Sequence, residues 1–171
     1  MESLAEFDTR ESGATFSPDR KYRYKLWRAW NSDRRLLFIM LNPSIADEER
    51  DDATQRRCRR FAKDWGFGGY TVGNLFALVS TDPKGLKTEP EPIGPENDDY
   101  LTAMHKAHSL TVVAWGTHGT LGGRDRKVLQ ELLKSGPVFC LGLNKDGTPK
   151  HPLYVRADTR YALYDQNIAR L

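Results

Sequence analysis

Four polar residues mark the ends of the apolar runs of this sequence and are its best candidates for chemistry. Asn42 and His118 follow two of these runs, Asn74 interrupts a third near its end, and His151 comes after a fourth. Continuous apolar runs are typical of buried strands in a parallel sheet, and ligands bind outside the carboxyl ends of such strands. We therefore expect the two amides and the two imidazoles to lie at one edge of a sheet and to form a site.

The run over residues 36–41 is the one around which the site is organised. It leads directly into Asn42-Pro43-Ser44, where Pro43 stiffens the loop. An acidic stretch follows over residues 47–52. Asp47 or Asp51 could act as a general base, because a carboxylate is useful beside an amide that positions water. The alternative is that these acids are solvated loop residues.

Each of the other candidates also has a structural interpretation. His151 could be fixed by the turn before Pro152, and His118 lies among glycines and could be an ordinary loop residue. The amide of Asn74 needs partners, since an unsatisfied buried amide costs about 1–3 kcal/mol, and neighbouring backbone could supply them. The sequence leaves both interpretations open.

Strand and helix patterns alternate along the chain, which predicts a three-layer α/β/α fold with a mainly parallel central sheet of about four strands. A strand over residues 22–30 and a turn at Asn31-Ser32-Asp33 are expected to form a hairpin with the first core strand, and a short helix from Asp158 is expected to close the chain. We expect residues 1–19 to form a loose arm and residues 20–171 a single α/β domain. The predicted core strands cover 36–41, 70–78, 110–116 and 138–143, and the predicted helices begin near Ala53, Pro95 and Arg124.

Basic residues are concentrated on two of these elements. Opposite the apolar stripe of the helix after Ala53, one face carries Arg56, Arg57, Arg59, Arg60 and Lys63. This face is either a solvated helix surface or a contact for phosphates. Arg23, Lys25 and Arg28 alternate with apolar residues, which is typical of a solvated edge strand, although these residues could also contact phosphate.

Composition limits the class of protein. The 171 residues are 39% apolar and 29% charged with a net charge of +3, which favours one globular domain and permits nucleic-acid binding. No apolar run reaches the roughly 20 residues of a membrane span. The start of the chain lacks a signal-peptide pattern and the two cysteines form no disulfide framework, so a cytoplasmic location is expected. Neither a nucleotide-binding glycine motif nor metal-ligand spacing around His105 and His108 is present, and no obligate protein partner is evident.

The order of these segments resembles the uracil-DNA glycosylase superfamily. Phe38-Ile39-Met40-Leu41-Asn42-Pro43-Ser44 is similar to the first motif of its mismatch-specific branch, a strand followed by Asn-Pro-Gly. Asn74-Leu75-Phe76 and Asp82-Pro83 resemble the second strand and its Pro-rich loop, residues 112–116 the strand that ends in Leu-Gly, and Lys150-His151-Pro152 the closing His-Pro-Ser motif. The whole chain also resembles DUF1643, a family of small bacterial and phage proteins of unknown function, through LNPSIAD, NLFAL, GPEND, WG and HPLY.

The glycosylase resemblance implies a uracil-DNA-glycosylase-like fold and a role for each matching residue. Asn42 would position the water that attacks the anomeric carbon, and His151 would donate a hydrogen bond to the departing base anion. Asn74 would read the base edge, and Leu153 or Tyr154 would wedge into the base stack. Such chemistry requires neither a metal nor a cofactor. Pro43, Ser44, Phe76, Trp115 and His118 would complete the substrate site, and Arg56, Arg59, Arg60 and Lys63 would meet phosphates.

The sequence also departs from the glycosylase pattern. Ser44 replaces a glycine, Leu153 replaces a serine, no stacking aromatic residue follows the first motif, and the acidic run beside the site would repel phosphate. These departures favour a free nucleoside, a modified nucleotide or an unusual base over ordinary DNA. The first hypothesis is thus an N-glycosidase-like enzyme directed at a nucleobase or nucleotide, with a modified base in DNA among its candidate substrates. The second is a non-catalytic module that binds nucleotides or nucleic acid, and the third is a metal-dependent hydrolase that uses the acidic loop.

Overall fold

Residues 12–165, which the computed structural model describes, form a seven-stranded sheet with helices packed on both faces. The order of the strands across the sheet is β1-β2-β4-β3-β5-β6-β7. No helix within this part of the chain is long and apolar enough to cross a membrane. The strands are β1 (Ser12–Phe16), β2 (Arg23–Ala29), β3 (Arg35–Met40), β4 (Gly69–Asn74), β5 (Leu110–Val113), β6 (Phe139–Cys140) and β7 (Ala162–Leu163). The helices are α1 (Ala53–Asp64), α2 (Gly85–Thr88), α3 (Asn97–Ala107) and α4 (Arg124–Leu133), with 3-10 segments at Thr117–Gly123 and Pro152–Tyr154.

Four neighbouring strands, β4, β3, β5 and β6, run parallel, and antiparallel strands extend the sheet on both sides. The predicted α/β class is confirmed. The sheet is mixed, however, and has seven strands where about four and an amino-terminal hairpin were predicted. The difference arises because β1 and β7 are short and carry no long apolar run, so periodicity does not mark them as strands.

The position of the central strand β3 between two layers of helices explains why its sequence is continuously apolar. Leu37 and Ile39 belong to the core under α3 and α4, whereas Leu36 and Phe38 belong to the core under α1. Successive residues of a strand point to opposite faces of the sheet, so a strand covered on both sides needs an apolar residue at every position. Helices therefore cover both faces of the sheet.

The amino-terminal hairpin has a different partner from the one predicted. β2 pairs with β1 on one side and with β4 on the other, and not with β3. Most of the arm predicted over residues 1–19 lies outside the described residues, but residues 12–16 are strand β1. β1 lies close against β2 because Gly13 has no side chain, and a Cβ there would overlap the ring of Trp27.

Because β2 has neighbours on both sides, its basic residues are not solvated. Arg23 and Arg28 are each only 2% exposed and Lys25 is 6% exposed. The interpretation of this segment as a solvated edge strand is wrong. Arg28 is balanced by Asp51, whose Oδ1 lies 2.9 Å from its Nε.

The helix starts that the sequence predicts are observed at α1, α3 and α4. Asp52 caps α1, since its Oδ1 accepts a hydrogen bond of 2.8 Å from the backbone N–H of Gln55. The predicted stripe of α1 faces the core, with Cys58, Phe61 and Ala62 buried. The closing helix predicted from Asp158 is not formed within the described residues. Instead, Ala162 and Leu163 pair with β6, while residues 166–171 lie outside the described residues.

Candidate functional site

A cleft of about 470 Å³ opens at the carboxyl edge of the parallel strands. Its walls are formed by Asn42 and Ser44 after β3, by Asn74 at the end of β4 and by Trp115 after β5. β4 and β5 lie on opposite sides of β3, so the connections that leave β3 and β5 diverge and leave a crevice between them. This is the position at which open α/β sheets bind ligands.

The structure brings seven of the sequence-predicted residues together in this cleft and leaves the others outside it. The lining includes Asn42, Ser44, Asn74, Trp115, His118, His151 and Tyr154. Four predicted residues do not line the cleft: Pro43 is buried, Phe76 is part of the hydrophobic core, Asp47 lies in the loop that follows β3, and Leu153 is exposed. The predicted phosphate contacts Arg56, Arg59, Arg60 and Lys63 do not line it either.

Asn42 is held with its amide group in one orientation. Its Nδ2 donates to the carbonyl oxygens of Pro43, at 3.0 Å, and Ser80, at 2.8 Å. Both N–H groups are therefore occupied, and Oδ1 is the part of the side chain that remains to accept a hydrogen bond. A half-buried amide oxygen fixed in this way can orient a water molecule or a ligand N–H in the cleft.

His151 is a neutral hydrogen-bond donor. Its Nδ1 accepts a hydrogen bond of 3.2 Å from the backbone N–H of Leu153, so the proton of the neutral ring is on Nε2. Burial lowers the pKa of His151, and the negative charge of Asp52 only partly opposes that effect. The imidazole is thus uncharged at neutral pH. Tyr154, which is 80% exposed, stands beside it at the mouth of the cleft, with 5.6 Å between the ring centroids.

Several buried polar atoms of the cleft-lining residues have no hydrogen-bond partner. They are Nδ2 of Asn74, Oε1 of Gln55, Nε1 of Trp115 and Nε of Arg23. Native proteins satisfy nearly all buried polar groups, because each orphan costs about 1–3 kcal/mol. Asn97 and Arg124 each carry another such atom outside the cleft. The four atoms of the cleft-lining residues are candidate contacts for a polar ligand.

Arg23 and Asp52 are charged cleft residues that the sequence analysis did not place there. Both follow from topology. β2 runs antiparallel to β4, so its first residue lies at the carboxyl edge of the parallel strands, and the residue that caps the helix after β3 must lie at the same edge. Knowledge of the β2–β4 pairing would have located Arg23 at the cleft. The predicted helix cap at Asp52 was the sequence feature that could have located Asp52 there.

Asp47, the predicted general base, is occupied within its own loop. Its Oδ1 accepts hydrogen bonds from the backbone N–H groups of Glu49, at 2.9 Å, and Arg50, at 2.7 Å, and these bonds lower the pKa of Asp47. Asp51 is likewise engaged by Arg28 and Arg59. Asp52 is the acidic residue that lines the cleft.

The basic face of α1 is largely matched by neighbouring groups. Arg59 lies 3.1 Å from Asp51, and Arg60 lies 3.2 Å from Asp64. The ammonium group of Lys63 lies 5.1 Å from the ring centre of Trp30. None of these three residues lines the cleft.

Histidines 105 and 108 are structural. Nδ1 of His105 lies 2.8 Å from the hydroxyl of Thr111, and His108 bonds the carbonyl of Met104 and the hydroxyl of Thr71. Among residues 12–165, no three His, Cys, Asp or Glu side chains are grouped so that they could hold a metal ion.

The fold and the cleft define an α/β protein with a polar crevice at the switch point of its parallel strands. The chain belongs to the family described as protein of unknown function DUF1643, whose model matches residues 23–153. The matched stretch contains every cleft-lining residue except Tyr154. Searches of curated proteins and of solved structures found no significant match.

Proposed function

We propose that this protein is an N-glycosidase-like hydrolase that acts on a nucleobase joined to a sugar, with the cleft as its active site and a fold of the uracil-DNA glycosylase type. Support for the fold relationship comes from the order of the motifs around Asn42, Asn74 and His151, which occupy one cleft at the carboxyl edge of the parallel strands.

The observation that carries the proposal is the presence of His151 and Asn42 in one cleft whose lining residues include four buried polar atoms without hydrogen-bond partners. A heterocyclic base presents both donors and acceptors around its edge. Nδ2 of Asn74 can donate to such an edge and Oε1 of Gln55 can accept from it. Satisfying these two atoms on binding would recover about 1–3 kcal/mol each.

The chemistry assigns one task to each residue. Oδ1 of Asn42 orients a water molecule whose oxygen forms a bond to the anomeric carbon, while the bond from that carbon to the base nitrogen breaks. The base leaves with the electron pair, and the Nε2–H of His151 stabilises the resulting anion. Asp52 can take the proton of the water, because its cap bond to Gln55 occupies only Oδ1.

The surroundings of the cleft favour a nucleoside or a mononucleotide over DNA. Arg59 and Arg60 of α1 are paired with Asp51 and Asp64, Lys63 lies against Trp30, and none of these three residues lines the cleft. Duplex DNA binding depends on many unpaired cations that contact successive phosphates. We expect base release to be fastest from small substrates.

Base release from a panel of nucleosides, their 5′-monophosphates and short DNA strands, measured by chromatography, tests the proposal. His151→Asn is the informative variant, because an asparagine oxygen can still accept from the N–H of Leu153 while the Nε2–H is lost. Loss of one preorganised donor should lower kcat by about 100- to 1,000-fold. Asn42→Ala should lower kcat to a comparable extent with little change in binding.

Lys134→Gln is the control, since this residue is exposed and does not line the cleft. It should retain activity within a few-fold of wild type. Equal losses in His151→Asn and in this control, or no base release from any substrate by the wild-type protein, would contradict the proposal.

A binding module remains the second candidate function, because the predicted base Asp47 is held in its own loop. Tight binding of a nucleoside without turnover would favour it. No arrangement of residues in the described chain favours the metal-dependent hydrolase, since the acids of the loop are already bonded to backbone N–H groups or to arginines.

A further inference from the structure

Four arginines of the described chain are buried, and three of them, Arg23, Arg28 and Arg124, are at most 3% exposed. Arg28 lies 2.9 Å from a carboxylate oxygen of Asp51, and Arg124 lies 2.6 Å from one of Asp98. Arg23 differs from these two, because no carboxylate of residues 12–165 forms an ion pair with it. Within the same residues its guanidinium makes one hydrogen bond, from Nη1 to the carbonyl oxygen of Ala46 at 2.9 Å.

The part of the Arg23 guanidinium that makes no hydrogen bond has a definite geometry. Nε is buried without a partner, and Nη2 makes no hydrogen bond among residues 12–165. In a guanidinium, Nε and Nη2 form the side edge, whose two N–H groups are parallel. This edge matches the two oxygens of a carboxylate or a phosphate and can bind both at once.

Arg23 lines the cleft together with Asp52, Thr54 and Gln55 at the amino-terminal end of α1. Burial lowers the pKa of Arg23 to about 10, with the charge of Asp52 acting against that effect, so the side chain is still a cation at neutral pH. A buried cation without an ion partner is costly, and this cost is relieved when an anion enters the site.

Asp52 does not fill this role. One of its carboxylate oxygens caps α1, and no ion pair joins it to Arg23. The positive end of the α1 dipole offsets the charge of Asp52 within the first turn. The cleft therefore keeps an open site for an oxyanion.

We propose that the side edge of Arg23 is an anion subsite of the cleft, which binds an oxyanion of the ligand. If the proposed function is correct, this oxyanion is the phosphate of a mononucleotide. The identification of the oxyanion as that phosphate rests on the proposed function. The preferred substrate is then a nucleoside monophosphate and not the free nucleoside.

Calorimetric titration of the full chain with ribonucleosides and their 5′-monophosphates at constant ionic strength tests the subsite. A bidentate bond to a charged group should make the monophosphate bind at least about tenfold more tightly than its nucleoside. Arg23→Gln should reduce this preference to less than about twofold. Arg60→Gln, which removes an exposed arginine of α1 outside the cleft, should leave it unchanged.

Inorganic phosphate provides a test that is independent of the base. We expect phosphate to raise the Tm of the wild-type protein and of Arg60→Gln, but not that of Arg23→Gln, and acetate at the same ionic strength serves as the carboxylate probe. Stabilisation by acetate and not by phosphate would overturn the assignment to phosphate.

Failure of the subsite and failure of the proposed function give different results. Equal affinities for nucleoside and monophosphate overturn the subsite even if base release is observed. A phosphate effect that depends on Arg23, without binding of any nucleoside, supports the subsite and contradicts the nucleobase proposal. If Arg23→Gln does not fold, Arg23→Lys keeps the charge but lacks the side edge, and an unchanged preference for the monophosphate in that variant overturns the subsite.

Discussion

Asn74 and Asn97 are two buried asparagines for which the same substitution should have opposite effects on stability. Asn74 is 1% exposed, its side chain makes no hydrogen bond among residues 12–165, and its Nδ2 is buried. Asn97 is fully buried; its Oδ1 has no hydrogen-bond partner among residues 12–165, but its Nδ2 donates to the carbonyl oxygens of Asn74, at 2.9 Å, and Leu75, at 3.1 Å. Leucine has the same branching as asparagine without the polar atoms, so Asn74→Leu and Asn97→Leu form a matched pair.

The expected magnitudes follow from the partners. Asn74→Leu removes an unsatisfied polar group and should raise the free energy of unfolding by about 1–3 kcal/mol. A gain near 2 kcal/mol corresponds to a Tm increase of roughly 4–8 °C for a chain of this size. Asn97→Leu deletes two hydrogen bonds to buried carbonyls and should lower the free energy of unfolding by about 1–3 kcal/mol.

Urea denaturation followed by tryptophan fluorescence, together with calorimetric titration of the nucleosides, measures both effects. Asn74→Leu should be more stable than wild type and should lose nucleoside binding, which is the expected relation when a site is kept unsatisfied for its ligand. If Asn74→Leu is instead destabilised as much as Asn97→Leu, the amide has a structural partner such as a buried water. If it is stabilised but binds nucleosides normally, Asn74 does not contact the ligand.

Two further predictions concern stability. Burial lowers the pKa of His108 to about 4 from the ordinary 6.5, so its neutral form contributes about 3 kcal/mol above pH 6.5 that is lost as the pH falls from 6.5 to 4. Urea denaturation across this range should show a loss of stability that is larger by about 3 kcal/mol in wild type and in the exposed control His118→Gln than in His108→Gln, whose remaining loss comes from His105 and His151. Equal slopes for all three would contradict the prediction. Gly13→Ala should push β1 away from the buried ring of Trp27 and lower the free energy of unfolding by about 1–3 kcal/mol. Gly66→Ala is the control, because a Cβ there meets no atom within 4 Å and only its φ of +80° is unfavourable. A Gly13→Ala variant as stable as wild type would show that β1 is not packed on this ring.

Local patterns predicted the central elements well. The apolar run of β3, the cap at Asp52 and the stripe of Cys58, Phe61 and Ala62 are all consequences of interactions between residues close in sequence or of simple burial. For the same reason the sequence placed Asn42 at a strand end. Of the functional proposals, only the grouping of residues in one cleft has structural support, and the glycosidase activity stays a prediction.

Pairings between distant segments were not predictable in this way. Periodicity reports that a strand is buried on one face or both, but it does not report which strand lies beside it, so β2 was assigned the wrong partner and its arginines the wrong environment. Which acidic residue lines the cleft was also not predictable, because it depends on whether each carboxylate finds a local or a distant partner. Asp47 bonds the nearby backbone of its own loop, and Asp52 lines the cleft.

The amino-acid sequence by itself determined the α/β class, the buried central strand and the polar residues that end it, because hydrophobic pattern and helix capping act over a few residues. Tertiary structure alone decided that Arg23 is a buried cation without a carboxylate and that it shares a cleft with Asn74 and His151. The physical reason is that burial and charge pairing in that cleft depend on residues more than a hundred positions apart in the chain, which only the strand order brings together.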